Sequence, residues 1–475
     1  MASPYQTYRG LPALAGIATI DEAAQPGLGV DACVQRLKRY HFAFKRLHGI
    51  FTAHITAEPI YELKMSFSLH AYLCSEHTAA LRQRIGEMRE PPLGLDKVPD
   101  PYLEVFFDEI LATPASEERL IGLYEKALPA LIKGLERHLT ETNHLADYPS
   151  VRLCKFAISE LEEMHAYGIE AIACLVSAEQ RAAAENWLAG LDSLLSAAGR
   201  LDGTSPTKQG TPPWRHYSKK PFHYLKKPRR DSRFPDPYNM GVNAEAFLYD
   251  PSFAPEPKTL MMFFKRLREI DVPEMMASII VETPNKPWNY YRDMTRQLWD
   301  EARHAMMGEV GFAAQGIDWR SVMVNFTWSL VLNTQLKPLE RHSVLYYIEQ
   351  GLMPRNGKRF EWEVGRASNN PLAALFQDYD WADEVLHARI GRDWYVSEIG
   401  DAKQAVDFGD ACWSRVLVDW EQWRQEGLTE HRNWWPELYR QACAAWGIEP
   451  DKAVLNFNTS YQNLRPDLKN ISASA

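Results

Sequence analysis

Glutamate and histidine three positions apart on a helix share one face and can hold the same metal ion. The chain contains four such pairs: Glu141/His144, Glu162/His165, Glu301/His304 and Glu384/His387. Chance supplies about one in a chain of this composition, so the spacing alone is a weak signal. Glu141/His144 falls in the turn-like stretch TETNHLAD and is set aside. The last two pairs stand apart because an aspartate precedes each glutamate, giving Asp300-Glu301-Ala302-Arg303-His304 and Asp383-Glu384-Val385-Leu386-His387. A metal-bound imidazole needs a partner for its second ring nitrogen, and a carboxylate beside it fixes the tautomer and raises its basicity. Asp300 and Asp383 are therefore expected to support the histidines. Two helices that each bring Glu, His and a supporting Asp make most of a dinuclear site, completed by one Glu from each of two further helices.

Residues that meet across an antiparallel helical hairpin lie at similar distances from its turn. With a turn near Ala367 to Asn370, the partner of Glu384 falls near position 350, and Glu349 fits while Glu340 misses by more than two turns. With a turn at Thr283 to Pro287, the partner of Glu301 falls between about 268 and 275, which admits Glu274 and Glu269. Glu274 is preferred, although Asp271-Val272-Pro273-Glu274 also reads as a helix N-terminus with Glu at its third position. Glu269 is the reserve.

The helices that carry these residues belong to a predominantly helical pattern. Strand-like alternation is scarce, and apolar residues recur at i, i+3, i+4 and i+7, so the expected class is all-α. Helical stretches are expected at about 31–57, 60–90, 116–142 and 150–198, then at 259–282, 287–314, 319–335, 337–366 (interrupted near Gly351 to Gly357) and 371–394. Four segments result: a helical bundle at 1–200, a basic, Pro/Gly-rich connection at 201–257, a metal-binding bundle at 258–395 and a helical extension at 396–475. Six of the chain's tryptophans (Trp413, Trp420, Trp423, Trp434, Trp435, Trp446) lie in that extension and read as packing surface.

At 475 residues, with 45% apolar, 24% charged and 12% aromatic residues, the composition excludes a disordered or fibrous chain. Neither a membrane-spanning run nor a signal peptide is recognisable, so a cytoplasmic location is expected. The six cysteines lie far apart, without a CxxC pair, and read as reduced thiols. A net charge of -9 argues against nucleic acid as a partner for the whole chain. The local exception is Arg215 to Arg233 (RHYSKKPFHYLKKPRRDSR), which admits an acidic partner such as a carrier-bound acyl group or RNA, or else a linker.

The set Glu274, Glu301, His304, Glu349, Glu384 and His387 resembles the ligands of ferritin-like di-iron carboxylate proteins. The Asp-Glu-Ala-Arg-His string is similar to that of soluble di-iron monooxygenases and acyl-carrier-protein desaturases, and Asp-Glu-Val-Leu-His resembles the ribonucleotide reductase small subunit. The resemblance spans about 258–395. It implies two iron ions, or manganese, with Glu301 and Glu384 bridging, Glu274 and Glu349 terminal, and one histidine on each metal. It further implies an oxidase or oxygenase that activates O2 to oxidise a small-molecule or carrier-bound organic substrate. No flavin, nicotinamide or iron–sulfur motif is present, so electrons would come from an external donor or the substrate. Ferroxidase, peroxidase or manganese catalase-like activity is the alternative, with a non-catalytic metal-binding scaffold behind it. Met275, Met276, Ile279, Leu298 and Leu345 are candidates to line the site, or else ordinary core, and Tyr346 lies one turn before Glu349.

The first 200 residues read as a degenerate repeat of this plan. LYEKALPAL around Glu125 parallels LYYIEQGLMP around Glu349, and His165-Ala166 matches His387-Ala388. Ala79 stands where His304 does, and Ser75 and Leu161 replace the aspartates. The expectation is two ferritin-like four-helix bundles in tandem, the first without a dinuclear centre but with a polar network around Glu76, Glu125, Glu162 and His165.

Overall fold

The computed structural model describes residues 5–88, 94–234, 242–322, 324, 327–354, 357–417, 425 and 433–459. The described residues form helices and connections without a strand, so the chain is all-α. None of these helices is long and apolar enough to cross a membrane. Two compact units are present, residues 1–51 with 73–223 and residues 52–72 with 224–475.

The first unit is built on α1 (Val30–Ile55) and α2 (Tyr61–Glu87), each divided between the units, with α3 (Pro101–Leu111), α4 (Ser116–Leu120), α5 (Leu128–Glu141), α6 (Tyr148–Leu175) and α7 (Ala178–Ala197). A π-helical stretch, Ile121–Ala127, joins α4 to α5. The expected helix at 150–198 is two helices, because the Ser177 hydroxyl accepts from the Gln180 N–H and the Gln180 side chain answers the Ser177 N–H, starting α7 anew. The helix α3 lay unrecognised in the sequence although Asp100-Pro101 is a strong start signal, with the Asp100 carboxylate accepting from two backbone N–H groups.

The network expected around Glu125, Glu162 and His165 does not form. Buried positions on α6 are Ser150 and then Val151, Cys154, Ala157, Leu161, Met164, Gly168 and Ile172, the last seven a single stripe at three- and four-residue spacing. Glu162 lies one position off that stripe and is exposed, and Glu125 pairs with Arg181 at 3.0 Å.

The second unit contains α8 (Pro255–Arg268), α9 (Asp271–Glu282), α10 (Trp288–Ala313), α11 (Thr327–Gln335), α12 (Pro338–Gly351), α13 (Lys358–Ala367), α14 (Pro371–Gly391), α15 (Ala402–Leu417) and α16 (Trp435–Trp446). The helix α9 packs on both α10 and α12, and α14 packs on the same two, so these four close a ring. Against it lie α8 and α13, while α15 backs α12. Pro273 cannot donate a backbone hydrogen bond and clashes with a preceding turn, so it is tolerated only near a helix start. The chain accordingly breaks before Asp271 rather than running through 259–282, and Glu269 caps the end of α8. Where α8 crosses α10, a side chain at Gly308 would put its Cβ 2.2 Å from the Leu267 backbone nitrogen. This close approach seats the end of α8 against His304.

The crossing is embedded in an apolar cluster that includes Leu260, Phe263, Phe264, Ala305, Phe312, Trp434 and Trp435. The Trp435 indole donates to the Val454 carbonyl at 2.7 Å, and Trp446 donates to Gln315 at 3.1 Å. Trp413, Trp434 and Trp435 are buried, consistent with packing, while Trp420 and Trp423 lie outside the described residues.

The basic stretch is absorbed internally at several points. Arg215 pairs with Asp108, the buried Arg230 with Asp271 and Glu274, and Arg233 with Glu62 and Asp231. Five of the six cysteines are buried free thiols, and Cys174 is exposed.

Burial also sets an acid limit on stability. It holds the His41, His70 and His342 imidazoles down at about 3 and His48 at about 4, against an unfolded value of about 6.5. Below that value the unfolded chain takes up protons that the folded chain refuses. Their contribution is complete above pH of about 6.5 and is lost as pH falls toward 3–4, at about 1.4 kcal/mol per pH unit for each histidine. Urea midpoints by circular dichroism should therefore fall between pH 7 and 5, and unchanged midpoints would contradict this reading.

Candidate metal centre

The ring brings most of the expected ligands together. Glu301, Glu349, Glu384 and His387 are buried and offer ligand atoms within 4.8 Å of one another, and so do Glu269, His304, Asp380 and Glu384. Glu384 belongs to both groups. Glu301 also faces both histidines, with Oε2 3.7 Å from His304 Nδ1 and Oε1 3.2 Å from His387 Nδ1. The remaining distances around His387 Nδ1 are 3.5 Å to Glu384 and 3.9 Å to Glu349. His304 Nδ1 lies 3.2 Å from Glu269 and 3.5 Å from Asp380. The two imidazole centroids are 6.0 Å apart.

Glu274 is not part of this cluster. It is fully buried in an ion-pair knot in which Lys64 and Arg230 donate to its carboxylate and the Ser329 hydroxyl donates at 2.6 Å. Arg230 and Lys64 hold its carboxyl below the usual range despite burial, whereas burial pushes the neighbouring Asp271 up to about 7. The break before Asp271 explains the exchange: Glu269, at the end of α8, takes the position expected of Glu274.

The aspartates act across helices. Asp300 Oδ2 lies 3.4 Å from His387 Nε2, and Asp383 Oδ2 lies 3.1 Å from His304 Nε2, so each supports the histidine of the other helix. Arg303 bonds both aspartates, at 2.8 Å for Asp383, and Arg296 bonds both Asp300 oxygens at 3.0 and 2.9 Å. With Nε2 held, each histidine presents Nδ1 to the glutamates. Asp300→Asn and Asp383→Asn should each weaken metal binding by about 10- to 100-fold, measured by equilibrium dialysis, because outer partners orient the ligands. Unchanged affinity in both would reduce the aspartates to partners of Arg296 and Arg303.

Two features bear on whether a cation fits. First, His304 Nδ1, His387 Nδ1 and one oxygen each of Glu269, Glu349 and Glu384 are buried and face charged neighbours without a well-aligned hydrogen bond. Buried polar atoms without good hydrogen bonds are costly and rare in native folds, and these converge on one point. Second, the titration of the cluster is skewed. Burial and the Glu384 charge raise Glu349 well above the carboxylate range. Burial alone would lower both histidines, but Asp383, Glu269 and Glu301 lift His304 to about 10, and Asp300, Glu301 and Glu384 lift His387 well above its ordinary value. Against burial, Lys358 and the Glu349 hydrogen bond draw Glu384 well below it, and Arg266 draws Glu269 to about 2. Protons are thus held where a concentration of carboxylates demands positive charge, as a metal cation would supply.

Several participants carried little sequence signal. Asp380 lies one turn before Glu384 and continues its stripe, which could have been read by extending the motif backwards. Lys358 and Arg266 read as ordinary helix charges, yet both are buried: Lys358 Nζ lies 2.8 Å from Glu384 and 2.9 Å from Asp380, and Arg266 pairs with Glu269 at 2.8 Å and with Asp380. Gln297 donates to Glu349 at 3.1 Å. A cavity of about 110 Å³ reaches Glu269, Glu301, Glu349 and Glu384, with apolar walls from Val272, Met275, Leu332, Leu345, Ile348 and Leu352 and charged ones from Glu245, Lys265, Arg266, Arg268 and Asp271. Met275 and Leu345 match the sequence expectation; Met276, Ile279 and Leu298 are buried but do not line it. Tyr346 is buried against Tyr395, with ring centroids 5.5 Å apart.

A third cluster, Cys33, His138 and Asp147, lies in the first unit. Arg84 at 2.8 Å and Thr142 at 3.2 Å already donate to Asp147, and burial pushes the Cys33 thiol up to about 11. This is a hydrogen-bonded knot around a protonated thiol.

Comparison with family models, curated proteins and solved structures finds no match to the chain.

Proposed function

We propose that the second unit is a ferritin-like four-helix bundle holding two iron ions, or manganese, and that the protein is an oxidase or oxygenase acting on an organic substrate. The observation that carries this reading is the convergence on one point of buried Glu and His atoms without well-aligned hydrogen bonds, with Glu301 and Glu384 each reaching both histidines. Carboxylates with imidazole and without thiolate suit iron or manganese. Glu269, His304 and Asp380 would hold one metal, Glu301, Glu349 and His387 the other, with Glu384 shared between them. When bound, such a pair supplies the capacity to activate O2.

The chain's own residues do the rest. Asp300 and Asp383 fix the histidine tautomers, and Arg296 and Arg303 fix the aspartates. Gln297 orients Glu349. The apolar part of the cavity wall, including Met275, Leu345 and Ile348, would admit an apolar group of a substrate beside the carboxylates. The substrate would be a small molecule or a carrier-bound group, and electrons would come from an external donor or the substrate itself.

Oxygen uptake by the iron-loaded, reduced chain tests the reading. Uptake that depends on bound iron and is abolished in Glu301→Ala is the expected result. Iron-loaded protein that consumes no oxygen above free ferrous ion would leave the activity without support.

A further inference from the structure

The two halves of the centre are alike in carboxylates and unlike in fixed positive charge. In the His304 half, the carboxylates are Glu269, Asp380 and Glu384, and buried cations meet all three: Arg266 meets Glu269 and Asp380, and Lys358 meets Asp380 and Glu384. The His387 half has Glu301, Glu349 and Glu384. Among the described residues, no lysine or arginine lies within ion-pairing distance of Glu301 or Glu349. Their neighbours are the histidines and the amide of Gln297. The cations cannot simply swing away. Lys358 is fully buried at the start of α13, and Arg266 lies within α8, with 2% of its side chain exposed.

Resting on the dinuclear reading, we infer that the two positions load in order: the Glu301–Glu349–Glu384–His387 position takes a divalent cation first and tightly, and the Glu269–His304–Asp380–Glu384 position takes the second weakly because Lys358 and Arg266 already neutralise it. A divalent ion entering the first position meets three carboxylates, of which only the shared Glu384 is paired with a fixed cation, Lys358. One entering the second meets the same number of carboxylates against two fixed charges of its own sign. Lys358 governs the second step most directly, because it contacts the shared Glu384 and a carboxylate found only in the second group. The chain would then have a stable one-metal form, and full loading would depend on metal supply.

The test is anaerobic equilibrium dialysis of the metal-free full chain against ferrous iron, with bound iron counted per chain. The expected wild-type curve has one tight equivalent and a second at least about tenfold weaker. In Lys358→Met, loss of one buried positive charge should tighten the second step by about 10- to 100-fold and the first, which shares only Glu384 with it, by less. Lys358→Gln serves as a second neutral variant, and a circular dichroism melt confirms that each variant is folded. His304→Ala should keep the tight equivalent, and His387→Ala should lose it. Two equivalents bound in one step of equal affinity, or a tight equivalent that survives His387→Ala and is lost in His304→Ala, would overturn the order while leaving a dinuclear centre in place. A second step unaffected by both Lys358 variants would overturn the role of the lysine. No iron bound by the folded wild-type chain would overturn the dinuclear reading together with this inference.

Discussion

Glu384→Ala should strip both metals from the chain at once. Glu384 alone belongs to both ligand groups, and one of its oxygens is a buried acceptor without a well-aligned hydrogen bond. Its removal takes a ligand from each position, whereas His304→Ala or His387→Ala takes one from a single position. Metal content should fall from two ions per chain toward none at metal concentrations that saturate the wild type, and iron-dependent oxygen uptake should fall with it. The fold should survive, because Lys358 keeps Asp380 as its partner at 2.9 Å. Elemental analysis beside a circular dichroism melt measures both. Metal retained at wild-type level in a folded variant would remove Glu384 from the centre.

The second large effect separates two glutamates five positions apart. Glu274→Ala should destabilise the second unit by about 3–5 kcal/mol, because it leaves Lys64 and Arg230 charged and buried with one carboxylate fewer. Metal binding should be unchanged while the protein remains folded. Glu269→Ala should behave in the opposite way. It removes the carboxylate 3.2 Å from His304 Nδ1, and Arg266 retains Asp380, so metal affinity falls while stability changes little. Urea unfolding and equilibrium dialysis on the two variants read both quantities. A stable Glu274→Ala that loses metal would restore the assignment first drawn from the sequence.

Those two glutamates also mark how far the sequence could be read. Glu301, His304, Glu349, Glu384 and His387 could be placed because their helices are regular. Three-residue spacing fixes a shared face, and equal distance from a turn fixes the partner across a hairpin. The same arithmetic admitted both Glu269 and Glu274 and could not choose between them, because it assumes an unbroken helix and the chain breaks between them, ahead of Pro273. The aspartates before each glutamate were legible as supports, but their exchange across helices was not, since it depends on how α10 and α14 face each other. Lys358 and Arg266 were silent because a buried cation and a solvated one look alike in a helical pattern. In the first unit, similarity around Glu125 and His165 marked helices correctly without saying which side of each is buried, and Glu162 lies outside the buried stripe of α6. The all-α class was readable throughout, because it depends on periodicity rather than on contacts.

The most direct test of the central claim is a crystal structure of the iron-loaded chain with anomalous diffraction at the iron edge. Two peaks are expected inside the ring of α9, α10, α12 and α14, one beside Glu269 and His304 and one beside Glu301, Glu349 and His387, with Glu384 reaching both. No anomalous peak among these residues in iron-soaked crystals, or a peak at Glu274 with Lys64 and Arg230 displaced, would contradict it.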